Sequence, residues 1–161
     1  MAADRSEKRE IVFTGFGGQG IVLIGSIVGR AAAIGDHRES TLVQSYGPES
    51  RGGFCSAQVI VSPDPIHYPY VRRPDILVAM SQSGLEKFAG AAEAGTLLLI
   101  DQDLVKPVDC TLECYGIPAT RMAEEMGRKM IANIVMLGFF VSVAKVISRK
   151  AAEDAVTSTV P

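Results

Sequence analysis

The sequence predicts a three-layer α/β/α sandwich around a mostly parallel but mixed sheet. Two observations carry this. Short apolar runs alternate with segments of helical periodicity, and a glycine-rich turn follows the first apolar run and opens a long apolar helix. A third observation makes the sheet mixed. No helical pattern separates the second and third apolar runs, and a parallel partner needs a crossover, usually helical. Those two strands are expected to be antiparallel neighbours, giving a Rossmann-like start without a regular Rossmann domain.

Taken in order, Glu10 to Thr14 reads as a short buried first strand. Beyond the glycine turn, Ile21, Ile24, Val28, Ala31 and Ala32 recur at helical spacing. Gly25 and Gly29 each weaken that helix by about 1 kcal/mol relative to alanine, so their expected use is close approach to the sheet. Gly35 is a candidate stop. Thr41 to Gln44 is a weak second strand and Ala57 to Val61 a stronger third. Pro63, Pro65 and Pro69 mark an extended loop. Asp75 to Met80 is a buried strand entered through Pro74. Ser83 to Ala94 is expected to be helical and to end at Gly95. Thr96 to Ile100 is another buried strand with Asp101 at its carboxyl end, and Thr111 to Tyr115 a last one. Two helices, Thr120 to Met126 and Lys129 to Ile147, follow, and the tail from Ser148 reads as small and polar.

Length and composition bound the function. The 161 residues suit one domain, expected over 10–161 behind a flexible N-terminus at 1–9. A net charge of -2 without a basic cluster argues against nucleic acid; Arg72-Arg73 and Arg128-Lys129 read as solvated pairs. Residues 1–10 carry no apolar signal core, so a cytoplasmic location is expected. Ile131 to Ile147 is near the lower limit of roughly 17–25 residues for a membrane span, and Asn133, Ser142 and Lys145 interrupt it. It reads as a buried or interface helix, and no membrane partner is expected.

The three cysteines, Cys55, Cys110 and Cys114, give no disulfide framework and fall short of an iron–sulfur thiolate set. On a strand, Cys110 and Cys114 lie about 13 Å apart, too far to share a tetrahedral metal. His37 and His67 stand apart from them. No metal site is expected.

The run Gly15-Phe16-Gly17-Gly18-Gln19-Gly20 satisfies the G-x-G-x-x-G pattern. Backbone N–H groups at a helix N-terminus favour an anion; equally, the glycines allow a tight, closely packed turn. Holding NAD asks for an acidic residue at the end of the second strand. Val43-Gln44-Ser45-Tyr46 stands there instead, and Asp36 and Glu39 come too early. The second glycine-bearing run is Ser45-Tyr46-Gly47-Pro48-Glu49-Ser50-Arg51-Gly52-Gly53. A long loop between short strands points to a role: Arg51 meeting a phosphate or carboxylate while Gly52 and Gly53 admit a ligand or partner backbone. The alternative is a surface loop in which Glu49 and Arg51 neutralise each other. Ser81 and Ser83 lack a neighbouring histidine, and Asp101 and Asp103 are explained by capping and loop polarity. No nucleophile–base constellation supports self-contained catalysis.

Five segments in order, GFGGQGIVLIG, SYGPESRGG, PDILVAMSQ, YGIPAT and NIVMLG, resemble the gamma subunit of 2-oxoacid:ferredoxin oxidoreductases. This is the catalytic-domain family of the pyruvate and 2-ketoisovalerate enzymes, and the 2-oxoglutarate enzymes look nearest. The resemblance implies one subunit of a heteromer that oxidises a 2-oxoacid with coenzyme A to acyl-CoA and CO2 and reduces ferredoxin. It implies thiamine diphosphate with Mg2+ between alpha and beta subunits, and iron–sulfur clusters on other chains such as a ferredoxin-like delta subunit. This chain alone would hold no cofactor. By position, Gly15, Gly17, Gly18, Gln19 and Gly20 would form the coenzyme-A or interface turn. Tyr46, Gly47, Pro48, Glu49, Arg51, Gly52 and Gly53 would form the loop facing the partners. Cys55 stands where the family leads one to expect a small or apolar residue. Away from its partners, the apolar helix after Asn133 is a candidate surface for homodimerisation. The rival readings are a free-standing nucleotide-binding module, regulatory or redox, and a scaffold that touches no ligand.

Overall fold

The computed structural model describes residues 7–48, 53–107 and 111–161. β1 (Arg9–Phe16) leads through the glycine turn into α1 (Ile21–Arg30), which continues as one π-helical turn, Ala31–Gly35. β2 (Glu39–Tyr46) and β3 (Phe54–Ser62) follow, then β4 (Ile76–Ala79), α2 (Gln82–Ala89), β5 (Leu97–Asp101) and β6 (Glu113–Ile117). The chain continues through α3 (Ala119–Glu125), a 3-10 turn (Lys129–Ile131), α4 (Ala132–Ala144) and α5 (Arg149–Thr159).

The six strands form one sheet in the order β2-β3-β1-β4-β5-β6. β1, β4, β5 and β6 are parallel, while β3 lies antiparallel between β1 and β2. The antiparallel β2–β3 pair is as the missing crossover helix implied. Here the departure from a Rossmann domain has a physical form: β3 separates β2 from β1. Since both neighbours of β3 oppose it, β1 and β2 run in the same direction. Their carboxyl ends, Phe16 and Tyr46, lie at the same end of the sheet.

The layers are unequal. One face carries α1, α3, α4 and α5 over a core that includes Ile11, Phe13, Ile24, Val59, Val78 and Phe140. Phe13 and Phe140 meet edge-to-face at 5.2 Å between ring centroids, a geometry contributing about 0.5–1.5 kcal/mol beyond area burial. The other face carries α2, with Leu85 over Val12, Leu77 and Leu98.

Several elements differ from the sequence reading. β1, β2 and β3 extend beyond their apolar centres because ladder pairing carries polar residues along. The helix expected over Ser83 to Ala94 stops at Ala89, after which Ala91 and Ala92 turn back onto the carbonyls of Phe88 and Ala89. Only Gly84 and Leu85 of that helix are buried, so little apolar contact supports a further turn. β6 begins two residues later than expected, and the helix expected to reach Ile147 ends at Ala144, where Lys145 turns left-handed at φ 54. The polar tail is α5. Ser148 caps it by accepting from Ala151 N–H at 3.1 Å, and Ala151, Ala152 and Ala155 bury its inner face. Gly35 lies directly under Ala151, so a side chain there would meet the Ala151 backbone. Gly25 does allow α1 to approach β3 as expected; Gly29 does not need to, since its nearest neighbour would be Ser40 Oγ at 3.7 Å.

Candidate functional site

The glycine turn sits at the carboxyl end of β1. Gly18 (φ 92) and Gly20 (φ 73) adopt the left-handed conformation that L side chains resist. Gly20 is the N-cap of α1, and no side chain caps the helix. Its first turn carries no acidic residue, so the positive end of the helix dipole is left uncompensated from within. Among the described residues, the amides of Gly18 and Gly20 find no acceptor.

Gln19 organises the turn. Its Oε1 accepts from Phe16 N–H at 2.7 Å, and its Nε2 donates to the Met80 carbonyl at 2.9 Å, beyond the end of β4. The side chain folds back over Gly15, where a Cβ would collide with it. A second strut comes from far along the chain. Asn133, 5% exposed, donates from Nδ2 to the Gly20 carbonyl at 3.4 Å, and a Cβ on Gly20 would strike that amide. The sequence marked Asn133 as an interruption of an apolar run and as the head of the NIVMLG segment, not as a strut for the turn. Nothing local in the chain announces a contact across 113 positions.

The two glycine runs converge. Gly15 and Phe16 pair with Cys55 and Phe54 in the β1–β3 ladder, and Gly17 N–H donates to the Gly53 carbonyl at 2.8 Å. Gly47 N–H donates to the Phe54 carbonyl at 2.7 Å, which sets Tyr46, Gly47 and Pro48 on the far side of β3 from the turn. Tyr46 is 62% exposed at this edge. Gly15, Gly17, Gly18, Gln19, Gly20 and Gly53 are thus in one place, with Tyr46, Gly47 and Pro48 one strand away. Glu49, Arg51 and Gly52 lie outside the described residues. Lys87, which the sequence reading passed over, adds a cation: its Nζ is 3.8 Å from the Phe54 ring centroid.

Cys55 has a structural role here. Its buried thiol lies beside the Val22 backbone in the first turn of α1. Burial pushes its pKa above the ordinary value, and the neighbouring Val22 backbone opposes that rise. A small, buried, polarisable side chain therefore fits where a small or apolar residue was expected.

Ser81 and Asp101 behave as caps, while Asp103 pairs with Arg121 at 3.0 Å. Ser81 Oγ accepts from Gly84 N–H at 3.0 Å and starts α2. Fully buried Asp101 accepts from Thr120 N–H and Oγ1 at 2.9 and 2.7 Å and from Asp103 N–H at 3.2 Å, tying β5 to α3. Among the described residues no cluster of His, Cys, Asp and Glu could hold a metal ion, and no helix is long and apolar enough to cross a membrane. The site consists of backbone amides and exposed aromatic rings beside one lysine. It can hold an anionic or aromatic group; among the described residues it has no nucleophile–base pair.

The model of the pyruvate ferredoxin/flavodoxin oxidoreductase family matches residues 10–161. The chain belongs to that family. A curated relative, the 2-oxoglutarate synthase subunit KorC of Methanocaldococcus jannaschii, is 44% identical over 160 residues, covering 96% of this chain and 84% of the relative. Among solved structures of the family, the gamma subunit of a keto/oxoacid ferredoxin oxidoreductase from Geobacter sulfurreducens superposes with a TM-score of 0.84 at 39% identity. The match covers 95% of this chain and 87% of that one. The 2-oxoglutarate:ferredoxin oxidoreductase of Magnetococcus marinus, at 24% identity and TM-score 0.82, shares the fold; the match covers 94% of this chain and 27% of the longer chain there.

Proposed function

We propose that this chain is the gamma subunit of a heteromeric, thiamine-dependent 2-oxoacid:ferredoxin oxidoreductase, with 2-oxoglutarate as the 2-oxoacid. The assembled enzyme converts the 2-oxoacid, coenzyme A and oxidised ferredoxin to acyl-CoA, CO2 and reduced ferredoxin. The observation that carries the reading is the convergence of two glycine runs at the carboxyl end of β1, in a chain 44% identical to a 2-oxoglutarate synthase subunit across 96% of its length. The lack of an acid–base constellation among the described residues agrees with chemistry performed on other chains.

In this reading thiamine diphosphate and its Mg2+ belong to the alpha and beta subunits, and the iron–sulfur clusters to a ferredoxin-like delta subunit or its equivalent. When bound there, thiamine diphosphate supplies the electron sink for decarboxylation. This chain supplies a surface. Uncapped amides at Gly18 and Gly20 and the α1 dipole suit the phosphates of coenzyme A. Gln19 and Asn133 hold the turn in shape, and Tyr46, Gly47, Pro48 and Gly53 line the side turned to the partner subunits, with Glu49, Arg51 and Gly52 completing that loop. Residues 10–161 act as the single working domain behind the leading segment 1–9, and the enzyme operates in the cytoplasm.

The test is purification of the native complex and assay of dye reduction dependent on 2-oxoglutarate and coenzyme A. Activity should follow the presence of this chain, with 2-oxoglutarate preferred over pyruvate and 2-ketoisovalerate. Full activity in preparations lacking the chain would overturn the proposal. So would tight binding of NAD, FAD or AMP by the purified chain alone, which is the behaviour of a free-standing nucleotide-binding module.

A further inference from the structure

We infer that the free edge of β2 pairs with the β2 edge of a second copy of this chain. The pairing is antiparallel, across a twofold axis at Leu42, and joins the two sheets into one. This goes beyond the proposed activity and does not depend on it.

β2 is the outermost strand, with β3 as its neighbour on one side and no strand beyond it among the described residues. An open edge presents unpaired N–H and C=O groups, and proteins normally guard it with proline, lysine, a bulge or a short strand. β2 has none of these. It runs eight residues, Glu-Ser-Thr-Leu-Val-Gln-Ser-Tyr, with Glu39 at one end as its only charge. Its register with β3 passes from Glu39↔Ser62 to Tyr46↔Cys55 without a skipped position, so no bulge twists it away. The opposite edge, β6, is shorter at five residues and carries Glu113 and Gly116.

The outward-pointing groups can be assigned. Gly47 N–H donates inward to the Phe54 carbonyl, continuing the β2–β3 register. Bonding in an antiparallel ladder alternates, so Thr41, Val43 and Ser45 also bond inward. The backbone groups of Ser40, Leu42, Gln44 and Tyr46 therefore face the open side. A twofold axis normal to the sheet keeps side chains of both copies on matching faces, which requires each residue to oppose one of the same parity. An axis at Leu42 meets both conditions: Leu42 bonds to its own copy and Ser40 to Gln44.

That register is also chemically self-consistent. Leu42, 39% exposed, gains an apolar partner in its own copy. Thr41 opposes Val43, and Glu39 opposes Ser45, so no like charges face each other. Moving the axis to Val43 would pair the half-buried Val43 with its own copy but leave the more exposed Leu42 opposite Gln44. Identical edges related by a twofold also close the assembly at two copies, leaving no β2 edge free to propagate.

The experiment measures the mass of the purified full chain by light scattering and native mass spectrometry. It compares wild type, Gln44→Pro and Leu42→Cys, with Gln44→Cys as a control. Proline at 44 removes an N–H that the monomer does not use, and by symmetry removes it twice, so the dimer is expected to weaken by about tenfold or more. In the bonded Leu42 pair the Cα atoms sit about 5.5 Å apart, within disulfide range. Leu42→Cys is therefore expected to cross-link under mild oxidation and Gln44→Cys not to. A wild-type chain that stays monomeric at all concentrations overturns the inference. A dimer in which Leu42→Cys fails to cross-link overturns it too, even if Gln44→Pro does not fold. A wild-type dimer that Gln44→Pro leaves intact places the contact elsewhere and equally refutes it.

Discussion

Substituting Gly25 by alanine tests how α1 is seated, and the sign of the effect decides the matter. In a helix interior alanine is favoured over glycine by about 1 kcal/mol, so a glycine without a packing role should yield a more stable variant. The structure argues the opposite. A Cβ at Gly25 would lie 2.7 Å from Ala57 Cβ, 3.1 Å from Leu42 Cδ1 and 3.4 Å from Val59 Cγ2. Favourable carbon contacts lie near 3.5–4.0 Å, so α1 must lift from β3 by about 1 Å. Leu42 can swing aside at its tip, but Ala57 Cβ is fixed to the strand. Overpacking of this kind costs about 1–3 kcal/mol, which leaves a net loss of up to about 2 kcal/mol after the propensity gain. Urea denaturation of wild type, Gly25→Ala, Ala57→Gly and the double variant measures it. The double variant should recover about 1 kcal/mol relative to additivity. A stabilised Gly25→Ala, or strict additivity, would refute the close-approach argument.

Three further outcomes are expected. Lys145 holds a left-handed conformation at φ 54, so Lys145→Gly should raise stability by about 1 kcal/mol, read as a higher urea midpoint at unchanged m. Asp101→Ala leaves Thr120 and Asp103 donors without their acceptor at a fully buried position and should cost about 2–4 kcal/mol in the same assay; Asp101→Asn should cost less. Burial raises the Cys55 pKa in the folded chain above its ordinary value of 9.0. The stability linked to the neutral thiol is then complete below pH 9.0 and lost as pH rises past it, because the unfolded chain ionises first. Cys55→Ala should flatten that alkaline decline, and iodoacetamide should leave Cys55 unmodified in the native chain at pH 8.

What the sequence disclosed follows the range of the interactions. Apolar runs such as Ile76 to Ala79 and Leu97 to Ile100 announce themselves because burial on both faces leaves no polar residue inside them. The antiparallel β2–β3 pair was legible from the want of a crossover helix. α5 was not, since its buried stripe is alanine and its outer face is Arg149–Glu153 and Lys150–Asp154 pairs, a pattern with little hydrophobic contrast. In the candidate site, the glycine turn was visible as a motif. Its supports were not: Gln19 reaches Met80 and Asn133 reaches Gly20 across the fold, and Lys87 meets Phe54 from another layer. A single chain without structure gives no hint of such meetings.

Asn133 resting on Gly20 has a consequence in time. The turn forms from the first twenty residues to be synthesised, yet one of its walls arrives only with α4. Contacts this distant in sequence are late rewards in folding, because the intervening chain must be ordered first. The local half of the turn, Gln19 closing on Phe16, can assemble early; the long-range half waits for the carboxyl-terminal helices to dock. A nascent chain therefore displays an unfinished turn, and the finished shape certifies that α4 has docked. Any partner that recognises the completed turn reads that certificate before it commits to assembly.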